Sequence, residues 1–162
     1  MEVTDYDLWE VPPRWQFLRM ETDAGLVGWC EPVVEGRAPT TAVEELLEEY
    51  LIGEDPRDIE RNWERMYRGG FYRGGPVLRS AISGIDQALW DLKGRDAGLP
   101  VYELLGGKAR ESVRLYQHVH GETPAEMAEG ASEHVDVLRE AEERDTWEVP
   151  KWLHGDGRVA EW

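Results

Sequence analysis

The chain has little cysteine and little lysine. Cys30 is the only cysteine in 162 residues, so an intrachain disulfide is excluded. Lysine occurs only at Lys93, Lys108 and Lys151, and the remaining cations are arginine. No apolar run is long enough to span a bilayer. The start, Met1-Glu2-Val3-Thr4-Asp5, has neither the basic opening nor the apolar stretch of a secretion signal. A cytoplasmic protein is therefore expected. Internal repeats and low-complexity segments are also lacking. The length suits one domain, or one domain with an appendage. It is too short for a complete (β/α)₈ barrel, which needs about 250 residues.

Acid is what the chain has in excess. Its 34 Asp and Glu against 18 Lys and Arg give a net charge of −16. Such a surface repels nucleic acid phosphates and anionic membranes, so neither is expected as a partner. Abundant acid with scarce lysine points to a halophilic protein, in which high salt screens the repulsion between carboxylates. A solvated, highly charged surface is the plainer reading.

Periodicity outlines an α+β unit. Residues 2–11, 15–22 and 27–33 read as strands, joined by Pro12-Pro13 and by a turn at Thr22–Gly25. Thr40 or Thr41 is expected to cap a helix running to about Ile52. Asp55-Pro56 is expected to open a second helix, with Ile59, Trp63, Met66 and Tyr67 on one face. The third helix has the strongest signal. Gly74-Gly75-Pro76 frees the backbone and starts it. Leu78, Ala81, Ile82, Ile85, Ala88, Leu89 and Leu92 recur at three- and four-residue spacing, and Gly98 and Pro100 stop it. Gly84, on the apolar face, allows another element to come close. A strand is expected over 112–118 and a helix from Thr123-Pro-Ala-Glu126, a capping-box pattern, with Met127, Ala131, Val135, Leu138 and Ala141 as its stripe. The polar, Gly- and Pro-broken segment from 142 to the end reads as a loop or tail.

The run SAISGIDQALWDLKG at 80–94, followed by LPVYELLGG at 99–107, resembles the last capping-domain helix of the mandelate racemase/muconate lactonizing enzyme branch of the enolase superfamily. PPRWQFLRMETDAGLVGWCEPVVEGR at 12–37, YLIGEDP at 50–56 and MYRGGFYRGG at 66–75 extend the resemblance. Together they bring it closest to acid-sugar dehydratases of the galactonate dehydratase type. The resemblance covers roughly residues 1–127. It implies an enolase-like capping domain at 1–108, built as a three-stranded antiparallel meander followed by helices. It further implies the first βα unit of an incomplete TIM-type barrel at 109–142, then a divergent, mobile tail at 143–162. On this reading the chain is a truncated member, or one disrupted in frame. The intact family binds Mg²⁺, removes the proton beside a sugar-acid carboxylate and expels water to give a 2-keto-3-deoxy acid. The metal ligands and acid/base residues of that reaction lie on later barrel strands, so the resemblance implies no catalytic and no metal-binding residue in this chain.

The resemblance also marks substrate candidates. Family caps close over the barrel mouth and touch the far end of the substrate. The corresponding places here are the loop 12–15 and the segment 31–37, whose candidates are Arg14, Trp15, Glu35 and Arg37. Arginines there can hydrogen-bond hydroxyls or a carboxylate, and Trp15 can cover a sugar ring. The alternative is that Trp15 packs in the core and the arginines are solvated. Gln117, His118 and His120 close the expected barrel strand, at the end where barrel active sites form. Gln117 and His118 are the candidates, His118 resembling a substrate-contacting histidine of mannonate-type dehydratases; a lone histidine is more often structural. The segment 68–75 precedes a helix but lacks the Gly-Lys-Ser/Thr ending of a phosphate loop. It is expected instead to aim Phe71 and Tyr72 into a core or a subunit contact. The His154-Gly-Asp156 pair supplies two possible ligands and no third, and reads as solvated.

Two function classes follow. One is part of an acid-sugar lyase, inactive by itself, acting on a sugar acid only when a barrel is supplied. The other is a non-catalytic dimerisation or partner-binding module derived from the capping domain. A homo-oligomer is compatible with either.

Overall fold

The computed structural model describes residues 1–12, 15–32, 37–111, 119 and 121–143, and it divides into two compact units between Ala109 and Arg110.

The first unit opens with an antiparallel meander, β1 (Val3–Val11), β2 (Trp15–Thr22) and β3 (Val27–Cys30), in that spatial order. The β2–β3 turn closes on Thr22. Its hydroxyl donates to the Leu26 carbonyl at 3.0 Å, the Thr22 N–H reaches the same carbonyl at 3.1 Å, and Gly25 takes φ +74°. Register puts Leu18 between Leu8 and Cys30, and Met20 between Tyr6 and Gly28. Gln16, Leu18, Met20 and Thr22 are therefore buried on one face, where the core lies. Strand β3 ends at Cys30, earlier than the expected Val33. Pro32 brings no N–H to a ladder, and its ring packs over Gly84 instead; a Cβ on that glycine would come within 2.9 Å of Pro32 Cγ.

Helix α1 (Arg37–Tyr50) begins before the expected Thr40 or Thr41 and stops short of Ile52. Ile52 is drawn off as a parallel bridge partner of Val3. The Gly53 N–H donates to the Val3 carbonyl at 2.8 Å, and the Val3 N–H to the Glu54 carbonyl at 3.0 Å. Helix α2 (Ile59–Arg68) starts four residues after Asp55, not at it. The Asp55 carboxylate accepts the Arg57 N–H at 2.9 Å and its guanidinium at 2.6 Å, which closes a local turn ahead of the helix. That guanidinium holds the Asp55 carboxyl down at about 2. Ile59 and Met66 are buried as expected, and Trp63 and Tyr67 stack at 4.9 Å against the core.

Helix α3 (Pro76–Ala97) matches its sequence signal. Pro76 follows Gly75 (φ +84°), and Gly98 caps the end at φ +66° while the Leu99 N–H donates to the Gly94 carbonyl at 2.9 Å. Ala81, Ile82, Ile85, Ala88, Leu89 and Leu92 are all buried, and Leu78 is half-buried. Each large side chain among them contributes about 1.5–3 kcal/mol by leaving water. The short α4 (Val101–Leu104) follows. The α2–α3 connection leaves Phe71 and Tyr72 in solvent, so the expectation of a core contact for them fails.

In the second unit α5 (Pro124–Glu143) begins with the expected box. The Glu126 N–H donates to Thr123 Oγ1 at 3.3 Å, and Glu126 Oε2 accepts the Glu122 N–H at 2.8 Å. Glu143, placed in the tail by sequence, belongs to this helix. Met127 and Val135 keep 47% and 45% of their surface exposed. The strand expected over 112–118 and the tail from 144 onward, with its His154 and Asp156, lie outside the described residues. Among the described residues no helix is long and apolar enough to cross a membrane.

Ile85 sits fully buried at the middle of α3. Ile85→Asp should therefore abolish the cooperative thermal transition of the first unit, because an unpaired buried carboxylate costs several kcal/mol. Ile85→Val should cost only about 0.5–1.5 kcal/mol. Circular dichroism melts of the two variants check this; similar melting would overturn the assignment of the helix face.

Candidate functional site

The described part of the candidate site lies where β1 turns into β2. Val11 pairs with Trp15, which puts Trp15 at the end of the hairpin. Successive strand residues alternate in direction, so Trp15 and Phe17 share the sheet's outer face with Trp9 and Trp29, whose rings stack at 5.7 Å. Trp15 keeps 42% of its surface exposed, a position from which its ring can cover something bound at the hairpin end.

Gln16 points the other way and is buried. Its amide Nε2 donates to Thr40 Oγ1 at 2.8 Å, and the Thr40 hydroxyl donates to Glu10 Oε1 at 2.7 Å. This chain of hydrogen bonds ties both strands of the hairpin to the first turn of α1. It also explains why Thr40 is no cap: its hydroxyl is engaged across the fold. On the other edge the Trp29 N–H, on β3, donates to Asp91 Oδ2 of α3 at 3.0 Å, and Arg95 Nε holds the same oxygen at 3.0 Å. The hairpin end is thus braced on α1 and the opposite edge strand on α3.

Of the sequence candidates, Trp15 is placed as described. Arg37 opens α1 without a described side chain. Arg14, Glu35, Gln117 and His118, like His120, lie outside the described residues. Gln16, Thr40 and Glu10 were not among the site candidates read from the sequence. The available signal was Gln16 itself, a polar residue in register with the core-facing Leu18 and Met20.

Among the described residues, perturbed ionisable groups do not gather at this end. Burial pushes the Cys30 thiol up to about 12, which keeps it a neutral core side chain and not a nucleophile. Burial, followed by the hydrogen bond to Glu48, raises the Tyr6 hydroxyl to about 12. Burial raises the Asp86 carboxyl on α3, Glu60 adds to it, and a hydrogen bond from Trp90 opposes both. Among the described residues no three His, Cys, Asp or Glu side chains come together as a metal site. These residues therefore do not fit the Mg²⁺ that the resemblance implies for the intact family. What they offer is an exposed indole at the hairpin end, on strands braced against α1 and α3.

Residues 13–106 match the N-terminal domain of mandelate racemase/muconate lactonizing enzyme. The chain belongs to that family, within the enolase superfamily. It is 57% identical over 132 residues to D-galactonate dehydratase of Ralstonia nicotianae, covering 80% of this chain and 34% of the relative. It is 56% identical over 132 residues to D-galactonate dehydratase of Klebsiella pneumoniae, with the same coverage. The chain thus spans about a third of the length of these relatives. Among solved structures, an enolase from Pantoea ananatis with bound D-gluconate and magnesium superposes with a TM-score of 0.71 at 38% identity, over 83% of this chain and 34% of that one. A mandelate racemase/muconate lactonizing enzyme from Sulfitobacter sp. superposes with a TM-score of 0.67 at 31% identity, over 84% and 40% of the two chains. The three-stranded sheet followed by helices is the capping domain of this superfamily.

Thr40→Val tests the brace. It removes the acceptor for Gln16 and the donor to Glu10, leaving a buried amide short of a partner at a cost of about 1–3 kcal/mol. Amide exchange at Gln16 and Phe17 should accelerate more than at Leu89; a uniform change across the unit would show that the bonds do not act locally.

Proposed function

We propose that this chain supplies the lid-bearing cap of a galactonate dehydratase-like acid-sugar lyase. The observation that carries the reading is the 57% identity over 132 residues to D-galactonate dehydratase of Ralstonia nicotianae. In this role Trp15 covers the sugar, and Arg14, Glu35 and Arg37 bind its hydroxyls or its distal end. Gln117 and His118 are further candidate contacts to it. The brace from Gln16 through Thr40 to Glu10 fixes the strand ends, so that Trp15 is held in one geometry over the substrate. The proton removed beside the carboxylate and the water expelled from the sugar acid need a base and a metal site that the described residues do not supply. The 162 residues by themselves are therefore inactive, and turnover requires a barrel. A cytoplasmic, salt-adapted setting is a separate part of the proposal, and the net charge of −16 with three lysines supports the salt adaptation.

Two measurements test this. The 162-residue chain with Mg²⁺ and D-galactonate, D-gluconate or xylonate should form no 2-keto-3-deoxy acid above a mock preparation. A chimaera carrying the matched 132-residue segment in place of its counterpart in the Ralstonia relative should turn over D-galactonate, and Trp15→Ala in it should raise KM more than it lowers kcat. Product from the chain alone, or a folded chimaera without turnover, would overturn the reading.

Salt adaptation has its own readout. At molar salt the screening length falls to about 3 Å, so the repulsion among 34 acids is damped. The melting temperature should rise steadily from low to molar KCl. A flat or falling trend counts against salt adaptation without touching the lyase reading.

A further inference from the structure

The connection between α2 and α3 carries two aromatic rings in open solvent. Phe71 and Tyr72 are 90% and 86% exposed and lie edge to face, with centroids 5.1 Å apart. Tyr72 stands at the lip of a groove of about 350 Å³ bounded by α1, α2 and α3, and Phe71 precedes it in the chain. The buried side chains of Leu46, Met66 and Ile82 form its floor. Glu45 and Glu49 of α1 form one wall, and Tyr72 and Arg73 form the lip.

Charge says what fits there. Arg19, Arg57, Arg61, Arg65, Arg68 and Arg95 each pair with a carboxylate. Arg73 does not: among the described residues its contact is from Nε–H to the Gly70 carbonyl at 3.4 Å. Among the described residues the side chain of Arg79, nearby, engages Tyr67, through its hydroxyl at 3.3 Å and over its ring at 5.4 Å. Glu45 likewise makes no ion pair among the described residues. A chain with net charge −16 thus leaves a guanidinium without a carboxylate beside two bare rings, across a groove from a carboxylate without a cation.

The lip is cationic and apolar, and the wall is anionic. Both border the same groove, so the patch is complementary to itself, as a two-fold interface requires. We propose that the occupant of this groove is a second copy of the chain. A two-fold axis through the groove sets the Tyr72–Arg73 lip of each copy, with Phe71 next to it, against the Glu45–Glu49 wall of the other. Covering four such rings removes about 600–1,000 Å² from water, and the groove walls add to it, which reaches the scale of a specific interface. The two copies share one sign of net charge, so association strengthens as salt screens their long-range repulsion. This proposal is independent of the lyase reading.

The test is the oligomeric state of the 162-residue chain by sedimentation across the micromolar range, in molar KCl. Wild-type chain should dimerise. Phe71→Ser with Tyr72→Ser should weaken the dimer at least about tenfold, with the thermal transition unchanged. Arg73→Glu alone, and Glu45→Arg with Glu49→Arg, should each do the same, because each brings like charges together at both lip–wall contacts. Mixing these last two variants should restore association, since both contacts of the mixed dimer again join opposite charges. An effect within one chain cannot be rescued in this way. A monomer at every concentration, a dimer indifferent to Phe71 and Tyr72, or a mixture that fails to associate would overturn the proposal and assign the groove to another occupant.

Discussion

The first unit depends on how closely α3 approaches β3. A Cβ at Gly28 would stand 2.6 Å from Leu92 Cγ and 2.6 Å from the Ala88 carbonyl, closer than carbon atoms can pack. Gly84 makes the same concession to Pro32. The backbone of the edge strand therefore lies directly on the helix, near enough for Asp91 to take the Trp29 N–H. That bond partners a backbone donor on an edge strand. With α3 seated there, Leu18, Met20, Leu89 and Leu92 all lose their exposure, and α1 and α2 close the core around Val43, Leu47, Ile59 and Met66.

Electrostatics is organised around arginine. Arg57 holds Asp55, Arg65 holds Glu54 at 2.8 Å, and Arg19 bridges Asp7 on β1 and Glu21 on its own strand. Such exposed pairs are individually worth little. Their role in an acid-rich chain is local geometry. The Asp55–Arg57 turn delays α2 by four residues, and Asn62 Nδ2 then closes on the Asp55 carbonyl at 2.9 Å. Against this background, the Arg73 guanidinium, without a carboxylate among the described residues, stands out.

Of the candidate site, the place of Trp15 was legible and the brace behind it was not. Trp15 was readable because it lies in a family-like run next to a Pro-Pro turn, and its exposure at the hairpin end follows from strand alternation. Thr40 was misread as a cap, since a hydroxyl ahead of an acidic helical turn has the composition of one. Only the arrival of Gln16 beside it shows that the hydroxyl serves a tertiary contact. Asp55-Pro56 misled in the same way: its local chemistry is a turn that looks, in one dimension, like a helix start.

What the sequence determined alone is whatever depends on spacing along the chain. The α3 face, its Gly75-Pro76 start, the Gly98 stop and the Thr123–Glu126 box are all set by neighbours within four residues, and each was readable there. Tertiary structure decided what depends on contacts between distant residues. Val3 takes Ile52 out of α1, Pro32 on Gly84 ends β3, and Gly28 is small because Leu92 lies against it. Phe71 and Tyr72 are the clearest case. Their sequence asks for burial, but the chain around them offers none, because the groove beside them is floored by Leu46, Met66 and Ile82 from three separate helices and opens to solvent.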